Sequence, residues 1–318
     1  MKQTQLRAGQ SPEQNPELNP EQDFGQDSEV ANCIRLRAYA KVNPILDIIR
    51  KREDGYHEID MVLVQIDLHD TVTVTKRSDR QITCRCSRPG IPTDERNIAV
   101  RAAALLQTAY GTAGVDIEIE KRIPDSGGLA GGSTDAAAVL QAMNRLFALG
   151  LTEECLCEWA VKLGADVPFC VVGGCSRARG IGEQLERLPI PREGCLVLIK
   201  PDFGVSTAHA YRAMRPTQME HPSVEKMVEA LRGGAAETIA ACMANVMEDY
   251  ALREHPVLAE LKRELIEAGA LGSVMSGSGA TVFGLFRDRQ TAETAAGQLR
   301  AIRPDYEVIV SGWRSSLE

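Results

Sequence analysis

Aromatic residues are scarce in this sequence, and no two cysteines have the C-x-x-C spacing common in zinc and redox sites. Phe, Trp and Tyr make up 4% of the 318 residues, so a core must consist mainly of Ala, Val, Leu and Ile. The nine cysteines are dispersed, and the C-x-C pairs Cys84/Cys86 and Cys155/Cys157 have no histidine nearby. We therefore expect reduced thiols and no metal site made of cysteine and histidine.

Clusters of positive charge and long apolar runs are also missing. The formal net charge is -8, which argues against nucleic acid as a partner because a protein that binds a phosphate backbone needs a basic face. No apolar run reaches membrane-spanning length, and the N-terminus has no apolar signal segment. We expect a cytoplasmic protein that binds neither nucleic acid nor membrane.

The order of patterns along the chain predicts an α/β protein with a tail and two domains. Residues 1–30 are rich in Gln, Glu, Pro, Asn and Asp, which predicts a disordered tail. We expect a first domain over residues 31–195 and a second over residues 196–318, where helical patterns dominate at first. Strands are predicted at 34–38, 62–66, 71–75, 115–119, 196–200, 280–286 and 306–311, with a turn-rich strand pair at 171–182. Helices are predicted at 97–109, 135–149, 152–163, 223–232, 235–249, 256–268 and 290–302.

A glycine-rich segment, residues 124–134, lies between a predicted strand and a predicted helix. A helix N-terminus carries unpaired N–H groups and a partial positive charge, which suit a phosphate, and glycines let the backbone approach it closely. The sequence contains neither the P-loop pattern nor the G-x-G-x-x-G pattern of dinucleotide folds. A flexible connection that binds nothing is the alternative. The candidate phosphate-binding residues are Pro124, Asp125, Ser126, Gly127, Gly128, Leu129, Ala130, Gly131, Gly132, Ser133 and Thr134.

Two isolated charged residues lie in apolar surroundings and could supply phosphoryl-transfer chemistry. Phosphoryl transfer to an alcohol needs a carboxylate to accept the hydroxyl proton and a cation to offset the developing charge. Asp166 and Lys41 can fill these roles only if the fold brings them together, since they are far apart in the sequence. Otherwise Lys41 is a strand-end lysine and Asp166 a turn or N-cap aspartate.

Five segments together resemble a known family. Residues 40–43 (AKVN), 124–138 and 275–280 (MSGSGA) resemble the galactokinase, homoserine kinase, mevalonate kinase and phosphomevalonate kinase (GHMP) superfamily. Residues 52–57 (REDGYH) and 163–168 (LGADVP) are similar to the 4-diphosphocytidyl-2-C-methyl-D-erythritol kinases within it. The resemblance implies a two-domain α/β fold, with an N-terminal ribosomal-protein-S5-like domain, a C-terminal ferredoxin-like domain and the active site in the cleft between them.

The resemblance also implies a reaction and its catalytic residues. It is the ATP-dependent phosphorylation of the 2-hydroxyl of 4-diphosphocytidyl-2-C-methyl-D-erythritol, in the methylerythritol phosphate route to isoprenoid precursors. Asp166 would be the general base, assisted by Lys41, and Mg²⁺ would accompany ATP. The Mg²⁺ ligands are not identifiable from the sequence.

The binding residues follow from the same resemblance. Residues 124–134 would hold the ATP phosphates, and Asn97 would shape the adenine pocket. The residues expected to bind the cytidyl-diphosphate sugar alcohol are Asn43, Tyr56, His57, Thr207 and Tyr211. Tyr56 and Tyr211 would lie on opposite faces of the cytosine, because an aromatic face stacks on a base. His57 and Thr207 would make polar contacts beside it, and Asn43 would contact the substrate near the reacting hydroxyl.

Some features depart from the family pattern, and alternatives remain. Tyr39 and Pro44 replace the common proline and leucine, and Asp125 and Ser126 replace small apolar residues. We expect the Asp125 side chain to face solvent, because a carboxylate turned inward would repel ATP. A related kinase acting on homoserine or mevalonate, and an inactive nucleotide-binding protein, are the alternative functions. Either a monomer or a homodimer is compatible with the sequence.

Overall fold

A computed structural model describes residues 32–314, so the predicted tail lies outside the described residues. In this part of the chain strands and helices form a mixed α/β structure with two sheets. The strands are β1 (Cys33–Lys51), β2 (His57–Lys76), β3 (Ile82–Cys86), β4 (Val115–Glu120), β5 (Cys175–Gly180), β6 (Gln184–Leu188), β7 (Cys195–Lys200), β8 (Ala244–Asn245), β9 (Gly272–Met275), β10 (Val282–Phe286) and β11 (Glu307–Gly312). The α-helices are α1 (Ile98–Tyr110), α2 (Gly131–Leu146), α3 (Glu153–Val161), α4 (Val167–Val172), α5 (Thr207–Ala213), α6 (Val224–Gly233), α7 (Ala236–Ala241), α8 (Glu248–Glu254), α9 (Val257–Glu267) and α10 (Arg289–Ile302).

The first sheet is built on a long antiparallel hairpin. Its strand order is β3-β4-β2-β1-β8, and β5 pairs with β2 and with β6. β2 is long enough for its second half to pair with β4 while its first half pairs with β5. Helices α1 and α2 pack on each other, and α2 also packs on β1 and β2. Alanine accounts for three of the four buried residues of α1 and four of the ten of α2, so these helices pack closely without large aromatic side chains.

The pairing of β1 with β2 is irregular next to Lys41. The register shifts between Tyr39 and Lys41 and again between Val42 and Ile45. Such irregularities bend a strand and change the direction in which a side chain points. The sequence predicted a strand that ends at residue 38. Residues 40–48 are buried without interruption, so this part of the strand has no exposed face and does not alternate between apolar and polar residues.

The second sheet is antiparallel, in the order β11-β7-β10-β9. Every residue of β7 and of β10 is buried, as expected for central strands covered by helices such as α9 and α10. β8 returns to the first sheet and pairs in parallel with β1. The domain boundary between residues 195 and 196 stays a prediction.

Several elements differ from the sequence predictions. The helix predicted at 235–249 is wrong, because α7 ends at Ala241 and β8 interrupts the apolar pattern. The strand pair predicted from residue 171 begins later, since α4 extends to Val172. The sequence patterns did not predict β3, β6, β9 and α5, which are short and polar or flanked by turns. Helix α2 begins at Gly131, inside the glycine-rich segment.

No helix in residues 32–314 has the length and apolar content needed to cross a bilayer. All nine cysteines are free thiols, and three of them, Cys170, Cys175 and Cys195, are buried.

Candidate active site

A cleft of about 740 Å³ brings together residues from both halves of the sequence. One wall is the glycine-rich segment 124–134, which we call the glycine loop. The other walls come from β1 and β2, the residues before α1, the start of α4, α5 and the turn 277–279. Lys41, Asn43, Asn97, Asp166, Thr207 and Tyr211, all predicted from the sequence, line this cleft.

The glycine loop is held from two sides by hydrogen bonds to its backbone. On one side the backbone N–H of Lys41 donates to the carbonyl of Leu129 over 3.1 Å. On the other side the backbone N–H of Thr281 donates to Gly127 over 3.3 Å, and the Ser276 hydroxyl donates to Gly128 over 3.0 Å. With its carbonyls occupied in this way, the loop is fixed while its N–H groups remain available to an anion.

Gly128 is required by the backbone and by its neighbours. Its φ angle is +74°, and a Cβ at this position would lie 2.0 Å from the carbonyl oxygen of Ser276. Ala130 also has a left-handed conformation and directly precedes helix α2, whose N-terminus has no side-chain capping bond. The first N–H groups of a helix lack partners within the helix and carry partial positive charge. The loop therefore delivers an uncapped helix N-terminus to the cleft.

Lys41 is almost fully buried, with 4% of its side chain exposed. Its Nζ donates to Oδ1 of Asn43 over 2.7 Å and to the carbonyl oxygen of Gly128 over 2.9 Å. The third neighbour is Asp166, whose Oδ2 lies 3.6 Å from Nζ. The fold thus places the lysine ammonium between the glycine loop and the carboxylate.

Asp166 is at the start of α4 but its side chain makes no capping hydrogen bond. About a third of the side chain, 32%, is exposed to the cleft. A carboxylate with a buried cation on one side and open space on the other can accept a proton from a bound hydroxyl.

Asn43 is fully buried and orients Lys41. Its Oδ1 accepts from Lys41, and its Nδ2 lies 3.4 Å from the carbonyl of Val62. These contacts occupy much of its hydrogen-bonding capacity from within the protein.

Thr134 and Asn97 are turned into the protein. The Thr134 hydroxyl donates to the carbonyl of Tyr39 over 2.9 Å, so of the two hydroxyl residues in the first turn of α2 only Ser133 borders the cleft. Asn97 caps α1 by accepting from the N–H of Ala99, and its amide group donates to the carbonyl of Pro92. Asn97 therefore shapes the wall of the cleft through the backbone rather than presenting a free amide.

Asp125 borders the cleft, but its side chain is mostly exposed. Its side chain is 56% exposed and pairs with Arg88 over 3.0 Å. Although burial acts to raise it, the pKa of Asp125 is held below its usual value by the hydrogen bond and charge of Arg88 together with its own backbone and Lys200. Arg88 thus offsets the negative charge at the start of the glycine loop.

The predicted substrate residues are only partly brought together. The rings of His57 and Tyr211 lie 5.3 Å apart and are tilted by 32°. Burial lowers the pKa of His57, with a contribution from Lys51, and burial together with the charge of Asp166 raises the pKa of Tyr211. Tyr56 is 60% exposed and does not line the cleft.

Thr207 begins α5, and its hydroxyl lies 2.8 Å from the hydroxyl of Ser278. This contact joins the helix that carries Tyr211 to the turn that supports the glycine loop. Asn245 on β8 holds the same turn, because its amide group donates to the carbonyls of Met275 and Gly277. Asn245 was not identified in the sequence, where it lay within a predicted helix.

A buried charge cluster behind the glycine loop was not predicted from the sequence. Nζ of Lys121 lies 2.8 Å from Oδ2 of Asp135 and pairs with Asp70 as well. Lys121 and Asp135 border the cleft. A signal was available, because Asp135 directly follows the loop and precedes a run of three alanines, an unusual place for a carboxylate.

Comparison with known proteins identifies the family. Residues 97–174 match the family "GHMP kinases N terminal domain", and residues 227–304 match "GHMP kinases C terminal". The 4-diphosphocytidyl-2-C-methyl-D-erythritol kinase of Alkaliphilus metalliredigens is 41% identical over 280 residues, which cover 87% of this chain and 96% of the relative. The enzyme of the same name from Pelotomaculum thermopropionicum is 45% identical over 277 residues, covering 86% and 96%.

A solved structure gives the same result for the fold. The crystal structure of a 4-(cytidine 5'-diphospho)-2C-methyl-D-erythritol kinase superposes with a TM-score of 0.75 at 36% identity. The match covers 88% of this chain and all of that one. The two-domain GHMP kinase fold expected from the sequence is confirmed. The chain therefore belongs to the 4-diphosphocytidyl-2-C-methyl-D-erythritol kinases, a family of ATP-dependent small-molecule kinases within the GHMP superfamily.

Proposed function

We propose that this kinase transfers the γ-phosphoryl group of ATP to the 2-hydroxyl of 4-diphosphocytidyl-2-C-methyl-D-erythritol. The observation that carries the proposal is the contact of Lys41 with both Asp166 and the carbonyl of Gly128. This contact supports the proposal because phosphoryl transfer to an alcohol can use a carboxylate as base and a cation beside a helix N-terminus that binds phosphate.

The proposed reaction forms one oxygen–phosphorus bond and breaks another. The 2-hydroxyl oxygen attacks the γ-phosphorus, and the bond from that phosphorus to the oxygen that bridges it to the β-phosphate breaks, releasing ADP. Asp166 takes the hydroxyl proton. Lys41, held by Asn43 and Gly128, offsets negative charge on the oxygens during the transfer.

ATP would bind with its phosphates at the start of α2 and its base beside the residues before α1. Mg²⁺ would neutralise the β- and γ-phosphate oxygens. In residues 32–314 no group of three metal-binding side chains could form a cage of its own. A cation that arrives with the triphosphate, and is held mainly by phosphate oxygens and water, fits this donor set.

The cytosine base would bind near Tyr211 and His57. An aromatic ring can stack on the base, and the pKa of His57, lowered by burial, keeps its imidazole neutral at pH 7 and able to pair with the polar edge. Tyr56 is exposed, and the turn that carries it would have to move for its ring to reach the base.

The test is ADP release from ATP by purified protein with a panel of alcohols. The cytidyl-diphosphate substrate should support turnover, while homoserine and mevalonate should not, because neither has a base that could stack on an aromatic ring. A phosphorus NMR spectrum of the product should place the new phosphate on the 2-hydroxyl. Turnover of homoserine at the same kcat/KM would instead support a related kinase.

A further inference from the structure

A buried cluster of three charged residues lies behind the glycine loop. Lys121 contacts Asp70 and Asp135, and the side chains of the three are 4%, 0% and 5% exposed. No step of the proposed phosphoryl transfer uses these residues. Because buried charges are costly unless they are paired, such a cluster needs an explanation.

The cluster holds both ends of the loop. Oδ1 of Asp70 accepts hydrogen bonds from the backbone N–H groups of Arg122 and Ile123, directly before the loop. Asp135 lies in α2, directly after it. Lys121 joins the two, and its Nζ lies 3.2 Å from the place where a Cβ on Gly131 would be. The position of the α2 N-terminus therefore depends on this cluster.

The charges of the cluster do not balance when every group is ionised. There are two carboxylates and one ammonium group, and Oδ1 of Asp135 is buried without a hydrogen-bond partner. Burial, together with the charge of Asp70, raises the pKa of Asp135 to about 7 despite the contact with Lys121. Although burial alone would lower it, the pKa of Lys121 is raised by the two carboxylates, so the ammonium keeps its proton.

Two thiols also interact electrostatically with Asp135. Cys84 on β3 and Cys170 on α4 have pKa values raised mainly by burial. Both stay protonated at neutral pH. Within the cluster, Oδ1 of Asp70 accepts two backbone hydrogen bonds whereas Oδ1 of Asp135 has none, so Asp135 is the carboxylate that can hold the exchanged proton.

We propose that Asp135 is a positioning residue for the glycine loop and that its cluster takes up a proton when a nucleoside triphosphate binds. The inference rests on the proposed placement of the phosphates at this loop. Asp135 is four residues after Gly131, or about 6 Å along the helix axis. If the bound phosphate and the Asp135 carboxyl are about 8 Å apart and the effective dielectric constant is about 20, one negative charge on the phosphate raises the carboxyl pKa by one unit or more.

Proton uptake makes nucleotide affinity depend on pH in a defined direction. Affinity is highest where Asp135 is already protonated and falls as the pH rises above its pKa in the free enzyme. The limit for one full proton is a tenfold loss of affinity per pH unit. Because proton uptake affects the binding of the nucleotide, the KM for ATP should depend on pH in this way and kcat should not.

The test is isothermal titration calorimetry with the preformed magnesium complex of a non-hydrolysable ATP analogue. Titrations at one pH in buffers of different ionisation enthalpy give the number of protons taken up. For the wild-type protein we expect about half a proton or more near pH 7.8 and close to none at pH 6. In Asp135→Asn the uptake should disappear at pH 7.8, and the KM for ATP should become independent of pH between 6.5 and 8.5.

Glu120→Gln is the matched control, because it removes an exposed carboxylate on β4 that lies directly before Lys121, pairs with Arg35 and does not border the cleft. This variant should take up as many protons as the wild type. Equal proton uptake in the wild type and in Asp135→Asn would overturn the inference about Asp135 but not the proposed function. If Asp135→Asn does not fold, an uptake by the wild type that stays constant from pH 6 to 8.5 would overturn it. Failure of the wild-type protein to bind the analogue would overturn the proposed function together with it.

Discussion

The Nζ atom of Lys41 lies 3.6 Å from Oδ2 of Asp166, although the two residues are on different elements, β1 and the start of α4. The lysine is buried and bonded to Asn43 and Gly128, whereas the aspartate is partly open to the cleft. The cation is therefore fixed, and the carboxylate is the partner that can reach a bound hydroxyl.

Replacing Asp166 by Asn should remove the proposed base with little change in shape. We expect kcat to fall by about 10²–10⁴, the usual contribution of general-base catalysis. Folding should be retained, since the side chain makes no capping bond. Steady-state kinetics and a thermal melt measure both effects, and a kcat within tenfold of the wild type would rule Asp166 out as the base.

Lys41 and Asp166 should act as a unit. Lys41→Met removes the ammonium while keeping most of the buried volume, so it should also lower kcat by about 10² or more. The double variant should be little worse than the more damaged single variant, because groups that act together are strongly non-additive in their effects on rate. Rate losses that multiply in the double variant would mean that the two residues act independently.

Gly128→Ala should disrupt the glycine loop. The added Cβ would clash with the Ser276 carbonyl at 2.0 Å, and the φ angle of +74° adds strain. We expect a loss of about 1–3 kcal/mol in the free energy of unfolding and weaker nucleotide binding. Urea denaturation and calorimetry with the ATP analogue measure these losses.

Gly132→Ala is the matched control for stability. Its Cβ would make ordinary contacts of 3.6 Å with Ile98, and its φ angle is not in the left-handed region. The free energy of unfolding should stay within about 0.5 kcal/mol of the wild type. Equal stability of the two variants would show that the close contact of Gly128 with Ser276 is not maintained in solution.

The sequence predicted the fold well where long patterns are regular and less well around the cleft. Helices α1 and α10 were predicted within a few residues, because their apolar faces repeat over three or more turns. β1 was predicted too short because its register shifts break the alternation next to Lys41. The Asp70–Lys121–Asp135 cluster could not be predicted from spacing, since its members come from β2, the residue after β4 and α2.

Substitutions of Tyr211 should affect the binding of the cytidyl substrate and leave the binding of ATP nearly unchanged. Tyr211→Ala should raise the KM for the cytidyl substrate about tenfold or more, because stacking of a base on an aromatic ring contributes about 1–3 kcal/mol. The KM for ATP should change little. Tyr211→Phe should retain most of the affinity, which identifies the ring rather than the hydroxyl as the contact.

Tyr56→Ala is the informative comparison for that experiment. An effect much smaller than that of Tyr211→Ala is expected from its 60% exposure. An equal effect would mean that the turn around Tyr56 closes on the base when the substrate binds.

The contact between His221 and Asp47 should make stability depend on pH. Nδ1 of His221 lies 2.9 Å from Oδ1 of Asp47, which is buried, and this hydrogen bond raises the pKa of the histidine despite some burial. A histidine with a raised pKa in the folded state stabilises the protein fully below its unfolded pKa of about 6.5. That contribution is lost as the pH rises through the folded pKa. Because 41% of the His221 side chain is exposed, we expect it to be about 1 kcal/mol or less.

His221→Gln keeps a hydrogen-bond donor for Asp47 but removes the charge. The variant should be less stable than the wild type at pH 5.5, and the difference should shrink at pH 9, as measured by urea denaturation at both values. His209→Gln, which changes an exposed histidine on α5, is the control and should show no such trend. A difference for His221→Gln that is the same at both pH values would mean that packing, and not the charge of the imidazolium, accounts for the contribution of His221.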